Sequence, residues 1–351
     1  MGLTIHPLRS SARSPNFGAK PKISRPLIVL PRPGSDQPIN ALHPIRAPSE
    51  TAFTATFGNV LPKANYIQTP CGKAAYYELH PQPTNSRHSQ PQPNISRVLF
   101  VHGVQTCAIG LQPLASALSS KFPSAHCVLV DLWGHGLTDT PLVPHEPALF
   151  HALLDALMDH LDWKDAHLVG YSFGGSTTAS FAVAHPKRVQ SMALVAPAGL
   201  LHARDFTEEE NVYLRGGEGL EQRAKDWVLE FLEGGSLAVP ADWEDRVKRG
   251  EVVAEAVRDW EMKEHRGHAA SVVAIFRDGG VLDKDVEFEK AANSGIPYLN
   301  ILGELDGVCS VDKLKAVGME NIEVIPQVGH GLVRERVSEV AGRIERFWNS
   351  L

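Results

Sequence analysis

A chain of 351 residues, 43% of them hydrophobic and 21% charged, can bury one large core or two ordinary ones. Its net charge of -6 excludes a globally basic nucleic-acid binder, and its apolar content excludes disorder throughout. The four cysteines, Cys71, Cys107, Cys127 and Cys309, have neither C-x-x-C nor zinc spacing, and no apolar run reaches the about eighteen residues of a membrane span, so a cytoplasmic protein with reduced thiols and a small-molecule partner is expected.

Met1 to Glu50 carries seven Lys or Arg against two acids, with prolines recurring from Pro7 to Pro48. Residues 1–56 are therefore expected to form a disordered, basic, proline-rich tail, an organelle-targeting segment being the alternative. Gly2 is not read as a myristoylation site, because His6 stands where Ser or Thr is required. Order is expected from near Phe57, where Ala64 to Thr69 and Ala74 to Leu79 form a hairpin across Pro70-Cys71-Gly72-Lys73, followed by a polar loop from His80 to Ser96. Buried parallel strands are predicted at Val98–His102, His126–Asp131, His167–Gly170, Val189–Val195, Pro297–Gly303 and Ile322–Val328. Apolar spacing predicts helices over Pro147–Leu161 and Val333–Leu351. The alternation breaks once, between Ala198 and Val286, where helix-like segments Leu220–Leu232 and Val252–Met262 run on without a strand. The fold class is thus α/β: a mostly parallel, helix-covered sheet over 57–197 and 287–351, interrupted by a helical cap over 198–286. From Leu200 to Lys290 there are 13 basic and 22 acidic residues, which disfavours a polyanionic partner.

Gly170-Tyr171-Ser172-Phe173-Gly174 matches G-x-S-x-G, between a predicted strand and a stretch from Gly175 to Ala184 that can form a helix. Small neighbours are needed there because a sharp turn that thrusts Ser172 outward brings backbone segments close together. An apolar strand ends in His102-Gly103, so the N–H of Val104, with that of Phe173, can be presented to an oxyanion. Asp131 to Asp139 reads as a tight glycine-containing loop.

With these motifs, residues 60 to 351 resemble the α/β-hydrolase superfamily, in its esterase- and lipase-like serine hydrolase branch. The family's order of serine, acid, histidine implies Ser172 as nucleophile, Asp306 in Gly303-Glu304-Leu305-Asp306-Gly307 as orienting acid, and His330 in Val328-Gly329-His330-Gly331 as base. Glu304 is the alternative acid. His102 and His135 are expected to stabilise loops. His265 and His268 show no metal-ligand spacing, so neither metal nor cofactor is expected. Trp133 stands either at the pocket mouth or beneath its loop. Val272 and Phe276, with Phe231, form either a substrate pocket or the cap's own core, and Cys309 reads as a buried small hydrophobe.

The resemblance implies hydrolysis of a carboxylic ester, lactone or thioester through an acyl-enzyme on Ser172. Alternatives with the same triad are carbon–carbon bond hydrolysis, a non-hydrolytic lyase or cyclase, and a ligand sensor. The expected partner is a small acyl substrate and not nucleic acid. Oligomeric state is not legible.

Overall fold

The computed structural model describes residues 26–35, 43–82 and 95–351; the expectations for most of the tail and of the 80–96 loop lie outside them. The apolar runs form β3 (Arg97–Val101), β4 (His126–Val130), β5 (Ala166–Tyr171), β6 (Val189–Val195), β7 (Tyr298–Gly303) and β8 (Ile322–Ile325), and the hairpin forms β1 (Asn65–Thr69) and β2 (Gly72–Leu79). The sheet order is β1-β2-β4-β3-β5-β6-β7-β8. Among the described strands of this sheet, the β1–β2 and β2–β4 pairs are antiparallel and the other pairs parallel. β8 stops earlier than predicted because Pro326 has no N–H for the ladder.

Side chains alternate across the sheet, so Val98 and Phe100 enter one core and Leu99 and Val101 the other. The first core is covered by α2 (Gln112–Lys121) and α13 (Val337–Asn349), the second by α3 (Pro147–His160), α4 (Phe173–Ala184) and α10 (Asp285–Ala292). Burial on both faces is why these strands read as continuous apolar runs. The predicted last helix is divided: α12 (Leu332–Glu335) ends at Arg336 and α13 begins at Val337.

Between β6 and β7 the chain inserts α5 (Glu208–Arg215), α6 (Glu221–Glu233), α7 (Trp243–Lys248), α8 (Ala254–Glu264) and α9 (His268–Ala274). Amphipathic α6 turns Ala224 and Val228 inward, and Gly234 in the left-handed region ends it.

The tail expectation needs correction. Prolines stop at Pro48, and Ser49, whose hydroxyl accepts the Ala52 N–H, caps α1 (Glu50–Phe57). Phe53 and Phe57, one turn apart, are buried against the Trp260 ring of α8, with ring centroids at 5.2 and 5.9 Å. Ile45 pairs with Thr140 through two backbone hydrogen bonds of 2.9 and 2.8 Å. Farther out, Arg32 forms a two-bond ion pair with Asp278, and Leu30 is buried. Order therefore reaches well upstream of Phe57. Among the described residues no helix is long and apolar enough to cross a membrane.

Candidate active site

Register places the functional turns at one edge. Val101 pairs with Val130 and Gly170, and Tyr171 with Val195, so the loops after β3, β4, β5 and β6 leave the sheet side by side. Ser172 sits directly after β5 with φ 54° and ψ -120°, outside ordinary L-residue geometry. The turn closes this tightly only with glycine beside it: a Cβ on Gly174 would lie 2.0 Å from the carbonyl oxygen of Val101.

The structure joins Ser172, His330 and Asp306 in one hydrogen-bonded chain. His330 Nε2 lies 2.9 Å from Ser172 Oγ, and His330 Nδ1 lies 3.0 and 3.2 Å from the two oxygens of Asp306. The Asp306 side chain is fully buried, and its Oδ1 accepts the N–H groups of Val308 at 2.7 Å and Cys309 at 3.3 Å. The carboxylate is thus held by its own loop while it faces the imidazole. The Tyr171 hydroxyl donates to the His330 carbonyl at 3.1 Å, which fixes the histidine loop from below the serine. Glu304 is spent elsewhere, accepting the Gln327 N–H at 2.9 Å.

The backbone around Gly103 approaches the serine closely, since a Cβ there would lie 2.9 Å from Ser172 Cβ. Val104 lines the same cavity as Ser172. Phe173 is the first residue of α4, so its N–H has no intrahelical acceptor, and the positive end of the helix dipole faces the serine. Both proposed oxyanion donors thus come from segments adjoining Ser172.

The cavity that holds Ser172 and His330 measures about 280 Å³. Phe231 and Leu232 of α6 form part of its wall, with Arg258 of α8 and Arg334 of α12. For three candidate pocket residues the packing alternative holds over the pocket one. Trp133, Val272 and Phe276 do not line this cavity; each is buried in the core, Trp133 donating to the Leu149 carbonyl and Phe276 packing on Trp227 and Phe231. Apolar character alone cannot separate a core face from a cavity face. Phe231 differs in being 37% exposed. Cys309 is buried, and burial with the nearby Asp306 charge pushes its thiol up to about 12, so it is no competing nucleophile.

His102 and His135 hold loops as expected: His102 Nε2 accepts the Leu132 N–H at 2.9 Å, and His135 Nε2 accepts that of Gln105 at 3.3 Å. The spacing argument about the cap histidines is corrected by the fold, which brings His268 and Glu261 within 4.8 Å of His135 as possible metal-ligand atoms. These groups are mainly engaged with protein. Glu261 accepts the Gly136 N–H at 2.8 Å and pairs with His268 at 2.7 Å, while His268 Nδ1 also faces the Gly134 carbonyl at 3.0 Å. Burial opposes ionisation of Glu261, but the neighbouring histidines, His268 foremost, outweigh it and hold the carboxyl down to about 2. The cluster pins the 131–139 loop to α8 and α9. The sequence signals missed were Arg258, Arg334 and the charged pair of Arg258 with Glu233, which lie far apart in the chain.

Residues 97–252 match the family model of the α/β hydrolase fold. The chain is 31% identical, over 87% of its length and 78% of the other protein, to the dihydrolipoyllysine-residue acetyltransferase component of the acetoin cleaving system of Cupriavidus necator. It is 25% identical, over 74% of its length and 93% of the other, to the putative 2-succinyl-6-hydroxy-2,4-cyclohexadiene-1-carboxylate synthase of Bacillus subtilis. The crystal structure of the enol-lactonase from Burkholderia xenovorans LB400 superposes with a TM-score of 0.58 at 20% identity, covering 81% of this chain and 99% of that one. At that identity the likeness speaks for the fold.

Proposed function

This chain belongs to the α/β-hydrolase fold family, and from that premise we propose that it cleaves a carboxylic ester, lactone or thioester through an acyl-enzyme on Ser172. The observation that carries the proposal is the position of His330, within hydrogen-bond reach of both Ser172 and Asp306 at the wall of a cavity. His330 takes the Ser172 proton as Oγ attacks the carbonyl carbon, and the Val104 and Phe173 N–H groups receive the negative charge that develops on the carbonyl oxygen. Buried Asp306 keeps the imidazole in the tautomer that accepts at Nε2 and stabilises it when charged. The imidazolium then gives its proton to the departing alcohol, lactone oxygen or thiol. A water deprotonated by His330 attacks the acyl carbon, and Ser172 leaves with that proton.

The test is a fluorophosphonate probe followed by a short aryl ester. Covalent labelling at Ser172 and ester turnover are expected, and Ser172→Ala is expected to lose the label and several orders of magnitude in turnover. Full turnover by Ser172→Ala would remove the mechanism. A labelled protein without turnover of any ester would favour a second reading, non-hydrolytic lyase or cyclase chemistry, which the relative named as a synthase supports. The relative named as an acetyltransferase component is compatible with acyl transfer to an acceptor other than water.

A further inference from the structure

Two guanidinium groups line the cavity beside Ser172, and they differ in what neutralises them. Arg258 is paired, its Nε 3.0 Å from Glu233 and its Nη2 3.4 Å from Glu255. Among the described residues Arg334 has no carboxylate within ion-pair reach, and none of its side-chain nitrogens donates a hydrogen bond. Its Nη1 is buried from water without an acceptor. What holds Arg334 is the face of the Tyr171 ring, 5.6 Å from the guanidinium carbon, and Tyr171 is the residue immediately before Ser172. The remaining ionisable group on the cavity wall besides His330 is Glu335, which is exposed and therefore screened by solvent.

The position of Arg334 is set by the backbone that sets the base. His330 and Arg334 are four residues apart on one turn, Arg334 N–H bonds the Gly331 carbonyl at 2.9 Å, and Leu332 and Val333 between them are fully buried. The guanidinium is partly exposed, and its Nη1, buried without an acceptor, is left for an anion in the cavity to complete.

We propose that Arg334 determines substrate class: the physiological acyl compound carries a second, anionic group, a carboxylate or a group of like charge, which Arg334 receives while its ester carbonyl lies at Ser172. Lys in place of Arg334 would keep the charge but lose the planar group that rests on Tyr171. The inference rests on the hydrolase reading for the carbonyl's position, and its binding test does not.

The experiment compares the p-nitrophenyl half-ester of glutaric acid with p-nitrophenyl valerate, which differ mainly in a terminal carboxylate against a methyl group. The full chain is expected to prefer the anionic ester in kcat/KM by about 10- to 100-fold, and Arg334→Gln to erase most of that ratio, chiefly through KM. Arg334→Lys is expected to retain part of it, and higher salt to shrink it. Binding of glutaric acid monoanilide and of valeranilide to the Ser172→Ala chain, by calorimetry, asks the same question without turnover. Tighter binding of the anionic anilide, lost with Arg334→Gln in a chain whose unfolding temperature is kept, supports the assignment. Equal binding of the two anilides to the Ser172→Ala chain, or a preference that survives Arg334→Gln, overturns it. Absent fluorophosphonate labelling would strike the hydrolase reading alone, because the anilide comparison still decides the anion site.

Discussion

In the proposed mechanism Asp306 acts only through His330, which it faces at 3.0 Å, so its replacement separates orientation from reaction. In Asp306→Asn the side-chain oxygen can still accept the Val308 and Cys309 N–H groups, which should leave the loop folded. Its amide would donate to His330 Nδ1 and so place the ring proton on Nε2, facing Ser172, where no proton can then be accepted. We expect kcat to fall by about 10⁴ with the unfolding temperature nearly unchanged, read from steady-state kinetics beside a thermal melt. A variant within tenfold of the parent would show that Asp306 does not orient the base. Gly103 tests the other half of the centre. Alanine there would press a methyl carbon on Ser172 and move the Val104 N–H, and a loss of about 10² in kcat is the expected result. Unchanged kcat would place the oxyanion donors elsewhere.

If the inserted helices set access, the residues that do so are only some of those the apolar pattern picks out. Phe231 and Leu232 reach the cavity, whereas Val272 and Phe276 fill the core behind them. Phe231→Ala should shift the ratio of kcat/KM for long and short acyl esters by about tenfold or more, as changing a pocket by several methylenes does. Asp306→Asn should slow both esters alike, so a ratio moved by Asp306→Asn and not by Phe231→Ala would assign selectivity to the wrong surface. The Ser172–His330–Asp306 constellation was legible because strand, tight turn and chain order are local patterns, and the three residues each follow an apolar run. The strands were legible for the same reason, being buried on both faces. Arg334 was not, because its meaning depends on which carboxylates are absent around it in space. Nor was α1, whose Ser49 cap and Phe53–Phe57 pair were overshadowed by the prolines before them. Their contact with Trp260 makes α1 a clasp on α8, and Trp260→Ala is expected to cost about 3–5 kcal/mol in denaturant unfolding.

At the scale of the whole molecule, folding buries several imidazoles in neutral form, and that makes stability depend on pH. Burial pushes His102 and His145 down to about 4; at His151 and His167 burial again leads, joined by the charges of His185 and Arg97 respectively, to the same value of about 4. Each folded value lies below the unfolded one of about 6.5, so the stability these groups contribute is present above pH 6.5 and is lost as pH falls toward 4. In that window the unfolded chain binds about four protons at these positions that the folded chain refuses, and His126, His135 and His265, which burial also lowers, act in the same direction. Asp131 works the other way: burial raises it to about 7, against the N–H groups of Leu137 and Ala108 and the Tyr77 hydroxyl that it accepts. Its folded form holds a proton between about pH 4 and 7, which removes one from the balance. Over these five groups alone the net is about three protons, or about 4 kcal/mol lost per pH unit. Against a typical total stability of about 5–15 kcal/mol, that slope should unfold the chain between about pH 6 and 4. Urea midpoints measured from pH 7.5 to 4.5 are expected to fall steeply below pH 6.5. His145 is fully buried with its Nε2 unpartnered, so His145→Gln removes one of these titrations and should flatten the slope by about one proton, whatever its effect on stability at pH 7.5. Midpoints that stay level from pH 6.5 to 5 in the parent chain would mean that these histidines are charged in the folded state or open to water.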